Sequence, residues 1–207
     1  GGEDQELQLK SRFSLQPSPL GKATVTSGLA PQDAIGNIKY LQQACERLVL
    51  RGGVQPLFLI TPPNARIAVN WKEYLNIFDV LCEQNPEIEA PALHLGVCRA
   101  RLADYQYNQP KENSEHTKFD RRFYATIVLL SLVNERPVDV VEGMMRVKLN
   151  DLYNLQSDAS QFCYTTTKFC RALNWDLLAS VLESYADRLT FGVRDNLLPL
   201  VRACGPD

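Results

Sequence analysis

The run Leu149-Asn-Asp-Leu-Tyr-Asn-Leu-Gln-Ser-Asp-Ala-Ser-Gln-Phe-Cys-Tyr-Thr-Thr-Thr-Lys-Phe-Cys-Arg-Ala172 decides how this chain is read. Leu152, Leu155, Ala159, Phe162, Cys163, Thr166, Phe169 and Cys170 recur at helical spacing and form one broad face. A face sustained for so long predicts a single helix over 149–172 that crosses a domain, with Phe162 and Phe169 in its core. Asn154, Asp158, Gln161, Thr165 and Lys168 fall on the opposite side. That side is polar yet nearly free of the carboxylates and lysines that usually cover a solvated face. It reads equally as plain exposed helix or as a contact surface. Tyr153 and Tyr164 flank it, as exposed or as buried rings.

The same periodicity extends outward in both directions. A strong helix is expected from Glu115 to Asn134, a short one after Pro137 to Met145, one from Asp176 to Leu189, and a last one from Arg194 to about Cys204. Upstream, Trp71, Tyr74, Leu75, Phe78 and Leu81 mark a helix over about 70–83, and Pro86 and Pro91 punctuate shorter pieces. Ile35, Ile38, Leu41, Cys45 and Leu48 mark another from about Leu29 to Leu50, opened by Pro31 and stopped by Arg51-Gly52-Gly53. Leu57-Phe-Leu-Ile60 is a buried run that fits strand or helix. Ser18-Pro19 caps and opens a helix ending near Gly28. Before it, Leu7, Leu9, Phe13 and Leu15 alternate as in a small β hairpin. Residues 106–115 read as an exposed loop. The expected fold class is mainly α, with a small β element at the N-terminus.

Composition limits the chemistry. Hydrophobic residues make up 45% of the 207, enough for a core, and the formal net charge of −2 gives no global basic field for nucleic acid. Six cysteines are present with no Cys-x-x-Cys pair, and the two histidines complete no zinc pattern, so buried reduced thiols are expected. No apolar stretch has the length to cross a bilayer. Gly21-Lys22 is followed by Ala23 and preceded, five positions back, by Gln16, which excludes a phosphate loop. His94, between Leu93 and Leu95, reads as a packed structural residue and His116 as a solvated one. Glu87 and Glu89 read as surface charge. No cofactor and no catalytic residue is expected in this chain.

The order of elements carries a resemblance. Pro17-Ser-Pro-Leu-Gly-Lys-Ala, then Ser27-Gly-Leu-Ala-Pro, resembles the end of the winged helix in Ski2-like superfamily 2 DNA helicases. Leu59-Ile-Thr-Pro62 before Trp71, and Leu95-Gly-Val97, are similar to the segments that follow in that family. Arg188-Leu-Thr-Phe-Gly-Val193 with Leu197-Leu-Pro-Leu-Val-Arg202 resembles its junction before a helix-hairpin-helix domain. Arg121 to Leu130, and Phe169-Cys-Arg-Ala-Leu-Asn-Trp175, look closest to the helicase-like part of DNA polymerase theta and animal helicase Q. The resemblance implies residues 1–29 as the end of a winged-helix domain and 30–204 as a helical ratchet-like domain. It implies a region behind two motor domains that guides single-stranded DNA, with 149–172 as the ratchet helix, in the nucleus. ATP and magnesium would belong to motors upstream, so the chain would be part of an ATP-dependent DNA helicase. After Arg202 the sequence lacks the glycine-containing hairpin expected next, so either the chain stops short of that domain or the protein has lost it.

The chain departs from the family where it matters. Archaeal relatives carry an arginine and a tryptophan on the ratchet face, one holding phosphate and one stacking on a base. The resemblance places Asn154 and Gln161 at those positions. Stacking contributes about 1–3 kcal/mol per base, which Gln161 cannot supply. Phosphate contacts would then fall to Arg121, Arg122, Arg146, Lys148 and Lys168, with Lys118 beside them, and hydrogen bonds to Asn154, Gln161 and Thr165. Arg121 and Arg122 open a long helix, an unfavourable place for cations that favours a role beyond folding; read otherwise, they are ordinary surface charge balanced by Asp120 and Glu142. The alternative is a motor-less, helicase-derived module whose partner is another protein.

Overall fold

The computed structural model describes residues 16–191, and among these every regular element is helical. The hairpin expected over Leu7–Leu15 and the helix expected over 194–204 lie outside the described residues. Helix α1 (Pro19–Ser27) begins as its sequence dictates. The Ser18 hydroxyl accepts the Gly21 amide at 3.1 Å, Pro19 occupies the first turn, and Gly28 ends the helix at φ 71°. Helix α2 (Pro31–Glu46) stops one turn before the expected Leu50, and Arg51–Gly53 form a 3-10 turn instead.

Helix α3 (Val54–Ile60) resolves the ambiguous apolar run. All seven of its residues are buried, because α2, α5 (Glu89–Leu95) and three longer helices surround it. A short element covered on every side keeps no polar face, so its sequence shows no period with which to tell helix from strand. A 3-10 turn at Trp71–Glu73 leads into α4 (Tyr74–Gln84), and α6 (Arg99–Asp104) follows α5.

Helix α7 (Glu115–Val133) is the second central element. Ser114 caps it, and every residue from Arg122 to Val133 is buried. After α8 (Val138–Met145) comes α9 (Leu149–Ala172), one unbroken helix of 24 residues. Its expected apolar face is buried throughout, with Phe162 7% and Phe169 0% exposed. Helix α10 (Asp176–Phe191) returns antiparallel to it. Gln156 pairs with the Leu189 carbonyl and the Cys163 thiol with the Leu182 carbonyl, while Arg171 pairs with Glu183 near the turn. Helix α1 packs on the other flank of α9, so the segment before Gly28 is docked on the long helix.

Polar groups inside this core correct three sequence readings. Arg122 is 3% exposed. Its guanidinium donates to the carbonyls of Phe58 and Thr61 and to Asn37 Oδ1, at 2.8–2.9 Å, and lies 4.2 Å from the Phe58 ring centroid. With these donors taken and its side chain buried, it sits in the core rather than on the outer surface. Asp120 is not a surface counter-charge: it is 1% exposed, held bidentately by Arg101 and by the Tyr105 hydroxyl. Arg121 and Arg122 also lie in the second turn of α7 rather than opening it, because Ser114 sets the start, so the dipole argument for a role beyond folding lapses. His94, expected to be packed, is exposed on α5, because Leu95 and Ala92 take the inward face. His116 is exposed as expected.

Candidate nucleic-acid interface

The outer face of α9 is open. Asn154, Asp158, Gln161 and Lys168 are exposed and Thr165 half-buried. Their positions follow from the inner face: once Leu155, Ala159, Phe162, Thr166 and Phe169 turn inward, residues three and four apart line up opposite. Thr165 is less available than its position suggests, since its hydroxyl already donates to the carbonyl of Phe162 at 3.0 Å.

Two tyrosines left undecided by the sequence are exposed, Tyr153 at 54% and Tyr164 at 56%. Eleven residues apart, they stand on one line of the helix, about 16 Å along its axis. Lys168 Nζ sits 4.2 Å from the Tyr164 ring centroid. The pair offers an aromatic plane and a cation at one place, which neither Gln161 nor Asn154 provides.

The cations expected to meet phosphate divide into two groups. Arg146 and Lys148 are exposed at the junction between α8 and α9, and Arg146 is held at φ 51° as the cap of α8. Tyr124 locates them. Its hydroxyl donates to the Met145 carbonyl at 2.6 Å, accepts from the Asn70 backbone and feels the Arg146 charge. Burial outweighs both influences and pushes the Tyr124 hydroxyl up to about 12. Arg121 lies on the same side, half-buried between two clefts. One, of about 400 Å³, is lined by Arg66, Lys118, Arg121 and Asp151 among others; the other, of about 420 Å³, by Trp71, Lys72, Tyr105, Tyr107 and Arg121. Arg122 belongs to neither. Lys168 stands about 30 Å from Lys148 along the helix, by its rise.

Arg66, Lys72 and Tyr107 were missed from sequence. The signal available was Tyr107, a large aromatic in an otherwise polar stretch, and it is 86% exposed. Arg66, Lys72, Arg121, Arg146 and Lys148 make no ion pair among the described residues, whereas Lys118 is paired with Glu115 at 3.1 Å. No group of three His, Cys, Asp or Glu side chains among the described residues could hold a metal ion, and no described helix is long and apolar enough to cross a membrane.

Fold and site together define a domain, helical throughout its described residues, that presents one polar helix face, running at its N-terminal end toward a cluster of unpaired cations. The profile of the helical domain of the DNA pol Q helicase-like region matches residues 31–189, and the chain belongs to that family. It is 29% identical to DNA polymerase theta of Caenorhabditis elegans over 195 residues, 93% of this chain and 12% of that protein. It is 30% identical to DNA polymerase theta of Drosophila melanogaster over 186 residues, 88% of this chain and 9% of that protein, and 24% identical to that of Mus musculus over 188 residues. The chain thus spans about a tenth of the length of these relatives.

Proposed function

We propose that this chain is a non-catalytic guide for single-stranded DNA, a ratchet-like domain carrying the end of a winged helix before it, in a nuclear DNA-repair protein of the polymerase theta kind. Helicase motors in the same protein would hold ATP, magnesium and the strand, and this domain would keep the strand in line behind them. The observation that carries the reading is α9. It buries one face completely and leaves the other free, with Tyr164 and Lys168 paired on it and unpaired cations at its start.

Energetics set the expected strength. Non-specific binding draws its free energy from counterions released when cations meet phosphates. Few cations line this face, and Asp158 opposes them, so affinity is expected to be weak and salt-sensitive. Polarisation anisotropy of a labelled oligothymidylate at 20 and 150 mM salt tests this. Expected is binding that weakens at least tenfold over that range, and further in a variant with Arg121→Ala, Arg146→Ala and Lys148→Ala. Tight binding indifferent to salt and to these changes would overturn the reading. No binding at low salt would favour the protein-interaction module.

A further inference from the structure

Lys72 and Arg121, neither of which forms an ion pair among the described residues, share a cleft with Trp71 and Tyr107. Aromatic planes beside free cations are what a nucleotide needs, a surface to stack its base on and a charge for its phosphate. Cleft size agrees, since about 420 Å³ is room for one nucleotide rather than for a duplex.

The cleft also continues the path along α9. Asp151, in the first turn of α9 and at the end of its polar face, lines the neighbouring cleft together with Arg121, and Arg121 borders both. Trp71 is fixed edge-on to Tyr105 at 5.0 Å between centroids, and the Tyr105 hydroxyl is anchored on Asp120 at 2.8 Å. The wall is therefore rigid, while Tyr107 stands free in its turn.

We propose that the cleft between Trp71 and Arg121 is a nucleotide-binding pocket, in which one base of the single strand leaves its stack and lies against Trp71 and Tyr107 while its phosphodiester meets Arg121. This rests on the reading of α9 as a strand guide and extends it with a fixed pocket at one end, which would hold the strand in steps rather than let it slide.

The chain has two tryptophans, so Trp175→Phe leaves Trp71 as the sole reporter. Oligothymidylate labelled at one end is titrated into this variant while Trp71 fluorescence and label anisotropy are both read. Expected is quenching of Trp71 that tracks the anisotropy, with Arg121→Ala and Tyr107→Ala each weakening binding about fivefold or more and reducing the quench. Should Trp175→Phe fail to fold, photocrosslinking of the unmodified chain to an iodouracil-containing strand replaces the quench, and crosslinks at Tyr107 or Trp71 are expected. Rising anisotropy without quench or crosslink there overturns the pocket and leaves the α9 reading standing. Absence of binding by either readout overturns both.

Discussion

Arg122 carries a charge into the centre of the fold, where the carbonyls of Phe58 and Thr61 at the end of α3 receive it. Burial pushes its guanidinium down to about 9, with Tyr40 and Asp33 pulling the other way, and it stays protonated at neutral pH. Removing it strands the Thr61 carbonyl and Asn37 Oδ1 and takes one of two donors from the Phe58 carbonyl. Arg122→Met is expected to cost about 3 kcal/mol, read as a lower midpoint in urea, whereas Arg121→Ala one position away should leave the midpoint within about 0.5 kcal/mol. Equal effects of the two would contradict the assignment of one to the core and the other to the surface. The thiols divide in the same way. Burial pushes Cys163 and Cys170 up to about 12 and Cys82 up to about 11, while Cys45 and Cys98 are exposed, Cys45 being pushed up as well by partial burial and by Glu46 beside it. Thiolate is the reactive form, and at pH 8 it is almost absent from the three buried sites. Alkylation of the folded chain at that pH, mapped by mass spectrometry, should label Cys45 and Cys98 and spare Cys82, Cys163 and Cys170. Labelling of Cys163 as fast as Cys98 would show that the α9–α10 packing is looser than described.

At the scale of elements, the junction between α8 and α9 sets backbone strain against the proposed strand contact. Arg146 occupies the left-handed region at φ 51°, where glycine is the unstrained residue. Arg146→Gly is expected to stabilise the fold by about 0.5–1 kcal/mol and to weaken single-strand binding. A variant that is both more stable and undiminished in binding would remove Arg146 from the interface. Element by element, the sequence was most legible where one side of a helix faces solvent. The bounds of α9 and the inward positions of Phe162 and Phe169 follow from period alone. Legibility failed where burial is uniform, as in α3, whose seven buried residues have no period. It failed again for Arg122 and Asp120, since a charged residue on a helix signals solvent until its partners are seen, and those partners lie 61–85 residues away for Arg122 and 15–19 away for Asp120. Among the site residues, the polar stripe of α9 was legible. The clefts were not, because Arg66, Trp71, Tyr107 and Arg121 come together only when the segment after α3 folds against α6 and α7.

For the molecule as a whole, two central helices, α3 and α7, are wrapped by the others, and the α9–α10 hairpin leaves the outer face of α9 exposed. No phosphate loop is present in the sequence, so the purified chain is expected to show no ATP hydrolysis with or without single-stranded DNA; turnover stimulated by DNA would contradict a purely guiding role. The relatives named DNA polymerase theta are about ten times longer, so under the proposed function guidance would act beside other domains, and the weak affinity expected of the isolated chain accords with it. The central claim is that the strand lies on the outer face of α9. Crosslinking a thiothymidine-containing oligonucleotide to the chain at low salt, followed by peptide mapping, tests it most directly. The account predicts adducts on the exposed residues Tyr153, Gln161, Tyr164 and Lys168, lost on competition with unlabelled single strand. Adducts confined to surfaces away from α9 and its adjoining clefts would contradict it.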